Sequence, residues 1–73
     1  MAKFAYEVVG PAAPHGWQTG GLEVPMSEAA AAWQEVARIA ARSDPRFAEA
    51  LSNRTSAGTV DHDGTRYTVM RIA

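Results

Sequence analysis

The segment Ser27–Ser43, SEAAAAWQEVARIAARS, decides the fold predicted for this chain. On a helical wheel its apolar residues collect on one side around Trp33, while charged residues such as Glu28 and Arg42 collect on the other. This pattern predicts a long amphipathic helix, with Ser27 as its N-cap. The rest of the chain must then supply the surface that the apolar side of the helix covers.

Length and composition indicate one small domain covering residues 1–73. A core of this size leaves a thin margin of stability, which domains of similar length often supplement with a partner subunit. There is no cysteine, so disulfides and thiolate zinc sites are excluded. The formal net charge of −1 gives no overall attraction to nucleic acid or to an anionic membrane.

No segment has the character of a membrane span or a signal peptide. The longest uninterrupted apolar run, Ala29–Trp33, is far too short to cross a bilayer. The first ten residues, MAKFAYEVVG, contain no extended apolar stretch of the signal-peptide kind. We therefore expect a cytoplasmic protein without membrane contact.

The N-terminal part of the chain predicts one strand and a less regular segment. Residues 3–9, KFAYEVV, alternate between apolar and polar in the manner of a half-buried strand. Residues 10–25 contain four glycines and three prolines, which disfavours continuous regular structure. Within this segment Gly20-Gly21 predicts a tight turn of a short hairpin that sets Trp17 opposite Val24 and Thr19 opposite Leu22.

A second, short helix is predicted over residues 46–53. Asp44 is a favourable N-cap and Pro45 suits the first helical position. Phe47 and Leu51 then share one face, and Asn53 is expected to end the helix in a left-handed conformation.

The last eighteen residues predict a β-hairpin around Asp63-Gly64, a favoured pair for a type I′ turn. That turn sets Asp61 opposite Arg66 and Val60 opposite Tyr67, and it sorts apolar from polar side chains. The complete chain therefore predicts an α+β two-layer sandwich. Its antiparallel sheet has three or four strands, with one long and one short helix inserted before the C-terminal hairpin.

The apolar side of the long helix is the first candidate binding surface. It covers about 200° of the wheel, wider than the ~100° needed to rest on one sheet. One flank carries only methyl groups, those of Ala30, Ala37 and Ala41. Either the short helix and the glycine-rich loop cover this flank, or a partner chain docks on it, with a second copy as one such partner.

The loop around Trp17 is the second candidate. His15 and Trp17 place a titratable ring beside an aromatic one in a segment predicted to be irregular. Exposed loop aromatics often anchor protein partners, whereas a loop tryptophan in a small protein can instead close the edge of the core.

A third candidate consists of three arginines. Arg38, Arg42 and Arg46 recur every four residues, and such a row can contact phosphates because each guanidinium can bind two oxygens. Glu35 stands three residues before Arg38, however, so a solvated helix face is the favoured interpretation.

The histidines give little indication of metal binding or catalysis. Asp61 and His62 point to opposite faces of a strand and cannot chelate together, so His62 is interpreted as a polar residue at the hairpin tip. A zinc or nickel site would need His15 as well, and we expect neither a metal nor a cofactor. The chain carries no nucleophile-elbow, phosphate-loop or paired-carboxylate motif, so we do not expect an enzyme.

Size and the lack of catalytic motifs favour a small protein-binding module. Inhibitors, antitoxin-like regulators and accessory subunits all act by occupying a surface on another protein, and a homodimer fits the same description. The alternative hypothesis is a nucleic-acid-binding regulator that uses the arginine-bearing helix and the hairpin.

Overall fold

Two β-hairpins enclose a pair of helices along the chain, in the order ββααββ. This is a computed structural model, and it describes residues 2–24 and 28–73. The elements are β1 (Ala2–Val9), β2 (Trp17–Val24), α1 (Ala30–Ala40), α2 (Pro45–Ser52), β3 (Gly58–His62) and β4 (Thr65–Arg71). A short 3₁₀ turn, Pro14–Gly16, precedes β2.

The four strands form one antiparallel sheet in the order β2-β1-β4-β3. The first strand of the chain therefore pairs with the last, which places both hairpins in one sheet. The helices cover one face of this sheet, so the predicted α+β fold with an antiparallel sheet of up to four strands is confirmed.

Helix α1 packs its apolar side against the sheet as predicted. Trp33 is completely buried, and its indole N–H donates to the Ser56 carbonyl at 2.8 Å. Val36 and Ala40 beside it are also completely buried. The helix is shorter than the segment that predicted it, because the chain turns after Ala40, and the proposed cap at Ser27 lies outside the described residues.

Helix α2 begins as expected and ends differently. The side chain of Asp44 accepts a hydrogen bond from the backbone N–H of Phe47 at 3.1 Å, which confirms the N-cap. The left-handed end at Asn53 is wrong, since this residue has φ −91° and ψ −2°. After α2 the chain forms tight turns, in which the N–H groups of Asn53 and Arg54 donate to the carbonyls three residues earlier. These hydrogen bonds supply partners for carbonyls at the end of the helix without a left-handed residue.

The C-terminal hairpin has the predicted register throughout. His62 lies opposite Thr65, Asp61 opposite Arg66 and Val60 opposite Tyr67. At the turn, Asp63 and Gly64 have φ of 49° and 80°, both in the left-handed region that a type I′ turn requires.

The hairpin predicted within residues 17–24 is wrong. Trp17–Val24 is one continuous strand, and Gly20 and Gly21 lie opposite Tyr6 and Ala5 of β1. A Cβ atom at Gly20 would overlap the Tyr6 ring, so this glycine makes room for a neighbouring aromatic side chain. The strand therefore runs through the glycine pair, and pairing with β1 overrides the turn preference.

Candidate functional site

One face of the sheet is left uncovered by the helices, and we call it the open face. Along β1 the side chains alternate, so that Phe4 and Val8 are buried beneath the helices while Lys3 and Val9 are exposed. The strand register extends this alternation to the other three strands. The open face consists of Lys3, Ala5, Glu7, Val9, Trp17, Thr19, Gly21, Glu23, Thr59, Asp61, Arg66, Thr68, Met70 and, just beyond β4, Ile72.

Every large hydrophobic side chain that is exposed within residues 2–24 and 28–73 lies on the open face. Trp17 and Val9, which are 58% and 40% exposed, are direct cross-strand neighbours at one end. Met70 and Ile72, which are 49% and 60% exposed, lie at the other end, where the Ile72 N–H donates to the Lys3 carbonyl. We call these pairs the Trp17 patch and the Met70 patch.

The charged groups of the open face are largely paired with one another. Lys3 contacts Glu23 at 3.3 Å, and the Nε atom of Arg66 contacts Asp61 at 3.1 Å. The Trp17 indole N–H donates to the remaining carboxylate, that of Glu7, at 3.2 Å. In the row between the two patches Glu7 lies between Thr19 and Thr68, and the Thr68 hydroxyl shares a hydrogen bond of 3.2 Å with Thr59 of the edge strand, so the centre of the face carries hydroxyl groups and one carboxylate.

The alanine flank of α1 is mostly occupied by α2. Ala37 is buried in the core together with Ala48 of α2, and Ala30 is half-buried. Ala41 is exposed in the turn that follows α1. Of these three alanines, only Ala41 is exposed.

His15 and Trp17 lie close in sequence but in different settings. His15 is exposed in the 3₁₀ turn, with φ 58°, whereas Trp17 begins β2 and stands on the open face. The alternative that Trp17 closes the edge of the core is wrong, because pairing of Trp17 with Val9 directs the indole away from the helices.

The three arginines lie on the helical side of the molecule, opposite the open face. Arg38 pairs with Glu35 at 3.4 Å, and Arg42 lies beyond the end of α1. Both line a cavity of about 200 Å³ with Tyr6 and other residues, whereas Arg46 is exposed on α2 and is not among the residues that line it. The three arginines therefore do not form one continuous row.

A cluster that was not predicted joins the N-terminus of α2 to the hairpin tip. The Nε2 atom of His62 lies 3.0 Å from Oδ2 of Asp44 and 3.3 Å from Oδ2 of Asp63. The backbone N–H of Phe47, followed by the imidazole of His62, lowers the pKa of the Asp44 carboxyl below its ordinary value. Within the described part of the chain these are the three side chains that could share a metal ion.

The surroundings of this cluster hold the imidazole in place. The rings of Phe47 and His62 are stacked, with centroids 3.7 Å apart and planes 9° from parallel. The Tyr67 ring packs on Phe47, with centroids 5.4 Å apart, and burial raises the pKa of the Tyr67 hydroxyl. His62 lies at the hairpin tip as expected, and it is half-buried there on the helical face of β3, where it contacts Asp44.

Sequence reasoning missed the Met70 patch and the link between Asp44 and His62. In β4 the side chain of Met70 lies on the opposite face from those of Tyr67 and Val69. The register predicted for the hairpin therefore already places Met70 on the open face. Asp44 and His62 are eighteen residues apart, and no local pattern brings them together.

Comparisons with known proteins do not indicate a function for this chain. No protein-family model matches the chain, and searches of curated proteins and of solved structures found no match. Neither α1 nor α2, the helices of the described residues, is long and apolar enough to cross a membrane.

Proposed function

We propose that this protein is a small, non-enzymatic binding module that acts by occupying a protein surface with its open face, and that a second copy of the chain is the partner. The observation that carries the proposal is the placement of Val9, Trp17, Met70 and Ile72 on this one face. Large apolar side chains gathered on one uncovered surface are typical of interaction sites, whereas singly scattered ones are not.

The arrangement of the two patches favours a symmetric partner. A two-fold axis lying in the interface, midway between the patches, sets the Trp17 patch of each copy on the Met70 patch of the other. In such a contact residue i of one copy meets residue j of the other and the reverse, so both patches are covered at once. A tryptophan facing a methionine is also a favourable sulfur–aromatic pair.

The charges of the open face are compatible with this contact. Lys3 and Arg66 stand beside Glu23 and Asp61, so like charges are not concentrated at one position. Glu7 is the remaining charge near the centre, and its carboxylate accepts the Trp17 indole N–H, so a contact over this face does not leave it without a hydrogen bond. The same balance gives the face no strong attraction for a phosphate backbone.

The size of the open face is sufficient for a weak dimer. Four strands about 4.8 Å apart, with about seven residues each rising about 3.3 Å, give roughly 450 Å² in projection. Two such faces contribute about 900 Å², and more as accessible surface because the side chains stand out from the sheet, which reaches the ~1,000 Å² of a specific interface. We expect a dissociation constant in the micromolar range, because interfaces whose buried area is at this lower limit rarely bind more tightly.

The oligomeric state tests the proposal directly. Sedimentation velocity from low micromolar to millimolar concentration should show monomers converting to dimers. Met70→Glu places a charge in one patch and should leave the protein monomeric at every concentration, with an unchanged far-ultraviolet circular dichroism spectrum. Ala41→Glu is the matched control, because it adds the same charge at an exposed position on the helical side and should leave the dimer intact.

Two results would overturn the proposal. The first is a wild-type protein that stays monomeric at millimolar concentration. The second is a dimer that Met70→Glu leaves intact, and if Ala41→Glu dissociates that dimer, the contact lies on the alanine flank.

The nucleic-acid alternative would use the opposite side of the molecule. It predicts retention on DNA or RNA that weakens steeply with salt and is reduced by Arg42→Ala. The pairing of Arg38 with Glu35 speaks against it, because this guanidinium already has an anionic partner.

A further inference from the structure

We propose that Asp44, His62 and Asp63 form a binding site for a divalent transition-metal ion, with Zn²⁺ as its probe. The three side chains come from different places: the cap of α2, the end of β3 and the hairpin turn. The site is on the helical side of the sheet and is separate from the open face. The test of metal binding is therefore independent of the test of the proposed dimer.

The first argument concerns the number of protons available. Two carboxylate oxygens converge on one ring nitrogen, Nε2 of His62, at 3.0 and 3.3 Å. An imidazole nitrogen carries a single N–H, so it can give a good hydrogen bond to only one of them. The geometry is that of a hydrogen bond to Asp44, so the exposed Asp63 carboxylate stands 3.3 Å from the same nitrogen without a hydrogen bond to it. A cation between the three atoms satisfies both carboxylates.

The second argument is the spacing of the donor atoms. Zinc binds histidine nitrogen and carboxylate oxygen at about 2.0–2.2 Å in tetrahedral sites, and two corners of such a tetrahedron are about 3.3 Å apart. The two Nε2–Oδ2 separations, 3.0 and 3.3 Å, are close to this value. One donor atom from each residue lies within 4.8 Å of the others, so a small rotation of the exposed Asp63 carboxylate completes the geometry.

The third argument is that two of the three ligands, His62 and Asp44, are held before any ion binds. Stacking on Phe47 fixes the plane of the His62 ring, and the other carboxylate oxygen of Asp44 is held by the Phe47 N–H. Such supporting contacts orient metal ligands and raise affinity. The cluster borders a cavity of about 180 Å³ shared with Ser43 and Tyr67, which gives space for a water molecule as fourth ligand.

The donor set also selects the class of metal. One imidazole and two carboxylates suit zinc, cobalt, nickel or manganese, whereas calcium and magnesium prefer oxygen alone. Three protein ligands in place of four predict moderate affinity and an ion that remains accessible to solvent.

Titration with Zn²⁺ followed by calorimetry tests the site, and Co²⁺ provides a second probe because tetrahedral Co²⁺ absorbs visible light. The wild-type protein should bind one equivalent of Zn²⁺ and unfold at a higher temperature in its presence. His62→Gln should abolish both effects. Asp63→Asn should weaken binding at least tenfold, and because Asn-Gly suits the same turn, this variant keeps the hairpin.

Two matched variants control for adventitious binding. His15→Gln removes an exposed histidine outside the cluster, and Asp61→Asn removes a carboxylate next to His62 that lies on the open face. Both should bind Zn²⁺ as the wild type does. The proposal is overturned if the wild-type protein does not bind Zn²⁺, if binding survives His62→Gln, or if His15→Gln abolishes it.

Discussion

Replacing each of the two tryptophans by phenylalanine should show which tryptophan stabilises the core and which lies on the binding surface. Trp33→Phe removes the N–H that donates to the Ser56 carbonyl at 2.8 Å, a loss of about 1 kcal/mol. The smaller ring leaves a void in the core, and this adds about 1 kcal/mol. The Arg54 guanidinium lies over the indole, 4.7 Å from the centroid of the Trp33 ring. The phenylalanine ring must therefore pack beneath the same guanidinium. We expect a loss of about 2 kcal/mol from the roughly 4–11 kcal/mol that 73 residues provide.

The same substitution at Trp17 is the matched control. Its indole stands on the open face and donates only to the exposed Glu7 carboxylate, so Trp17→Phe should change the free energy of unfolding by no more than about 0.5 kcal/mol. Urea unfolding followed by far-ultraviolet circular dichroism, at a concentration well below the dissociation constant of the dimer, measures both variants as monomers. At about 4–8 °C per kcal/mol, Trp33→Phe should also lower the melting temperature by about 8–16 °C. Equal losses at the two positions, or a loss below about 0.5 kcal/mol at Trp33, would refute the reasoning.

Two further predictions concern the sheet and the cap of α2. Gly20→Ala should destabilise the protein by about 1–3 kcal/mol in urea unfolding, because the new methyl group overlaps the Tyr6 ring, whereas Gly21→Ala on the open face should cost clearly less; equal costs would contradict the packing. The folded-state pKa of Asp44 lies below its unfolded value, so its stabilising effect is present above about pH 3.9 and is lost as the pH falls through the folded-state value. Melting temperatures measured between pH 2 and 6 should fall less steeply on the acid side in Asp44→Asn than in the wild type, and identical slopes would contradict the assignment.

The elements that could be predicted from the sequence are those fixed by local chemistry. Asp63-Gly64 selects a turn type, and the turn type sets the register of β3 and β4 residue by residue. The amphipathic pattern around Trp33 likewise identifies the buried side of α1. In both cases the decisive interactions join residues within a few positions of each other.

Apart from the end of α2 at Asn53, the errors occur where residues distant in sequence determine the structure. Gly20-Gly21 has the composition of a turn, but its conformation follows from pairing with β1 and from the Tyr6 ring. The Asp44–His62 contact depends on how α2 lies against the hairpin, which no local pattern specifies. The alanine flank has the width of an interface, yet Ala37 at its centre is buried in the core together with Ala48 of α2. The open face could have been assembled only once β1 was known to pair with both β2 and β4.

Concentration-dependent NMR spectra test the role of the open face most directly. Between low micromolar and millimolar concentration, the signals of Val9, Met70, Ile72 and the Trp17 indole N–H should shift progressively, while the Trp33 indole signal stays constant. Spectra that do not change with concentration, or shifts confined to α1 and α2, would contradict the proposal that two copies meet through this face.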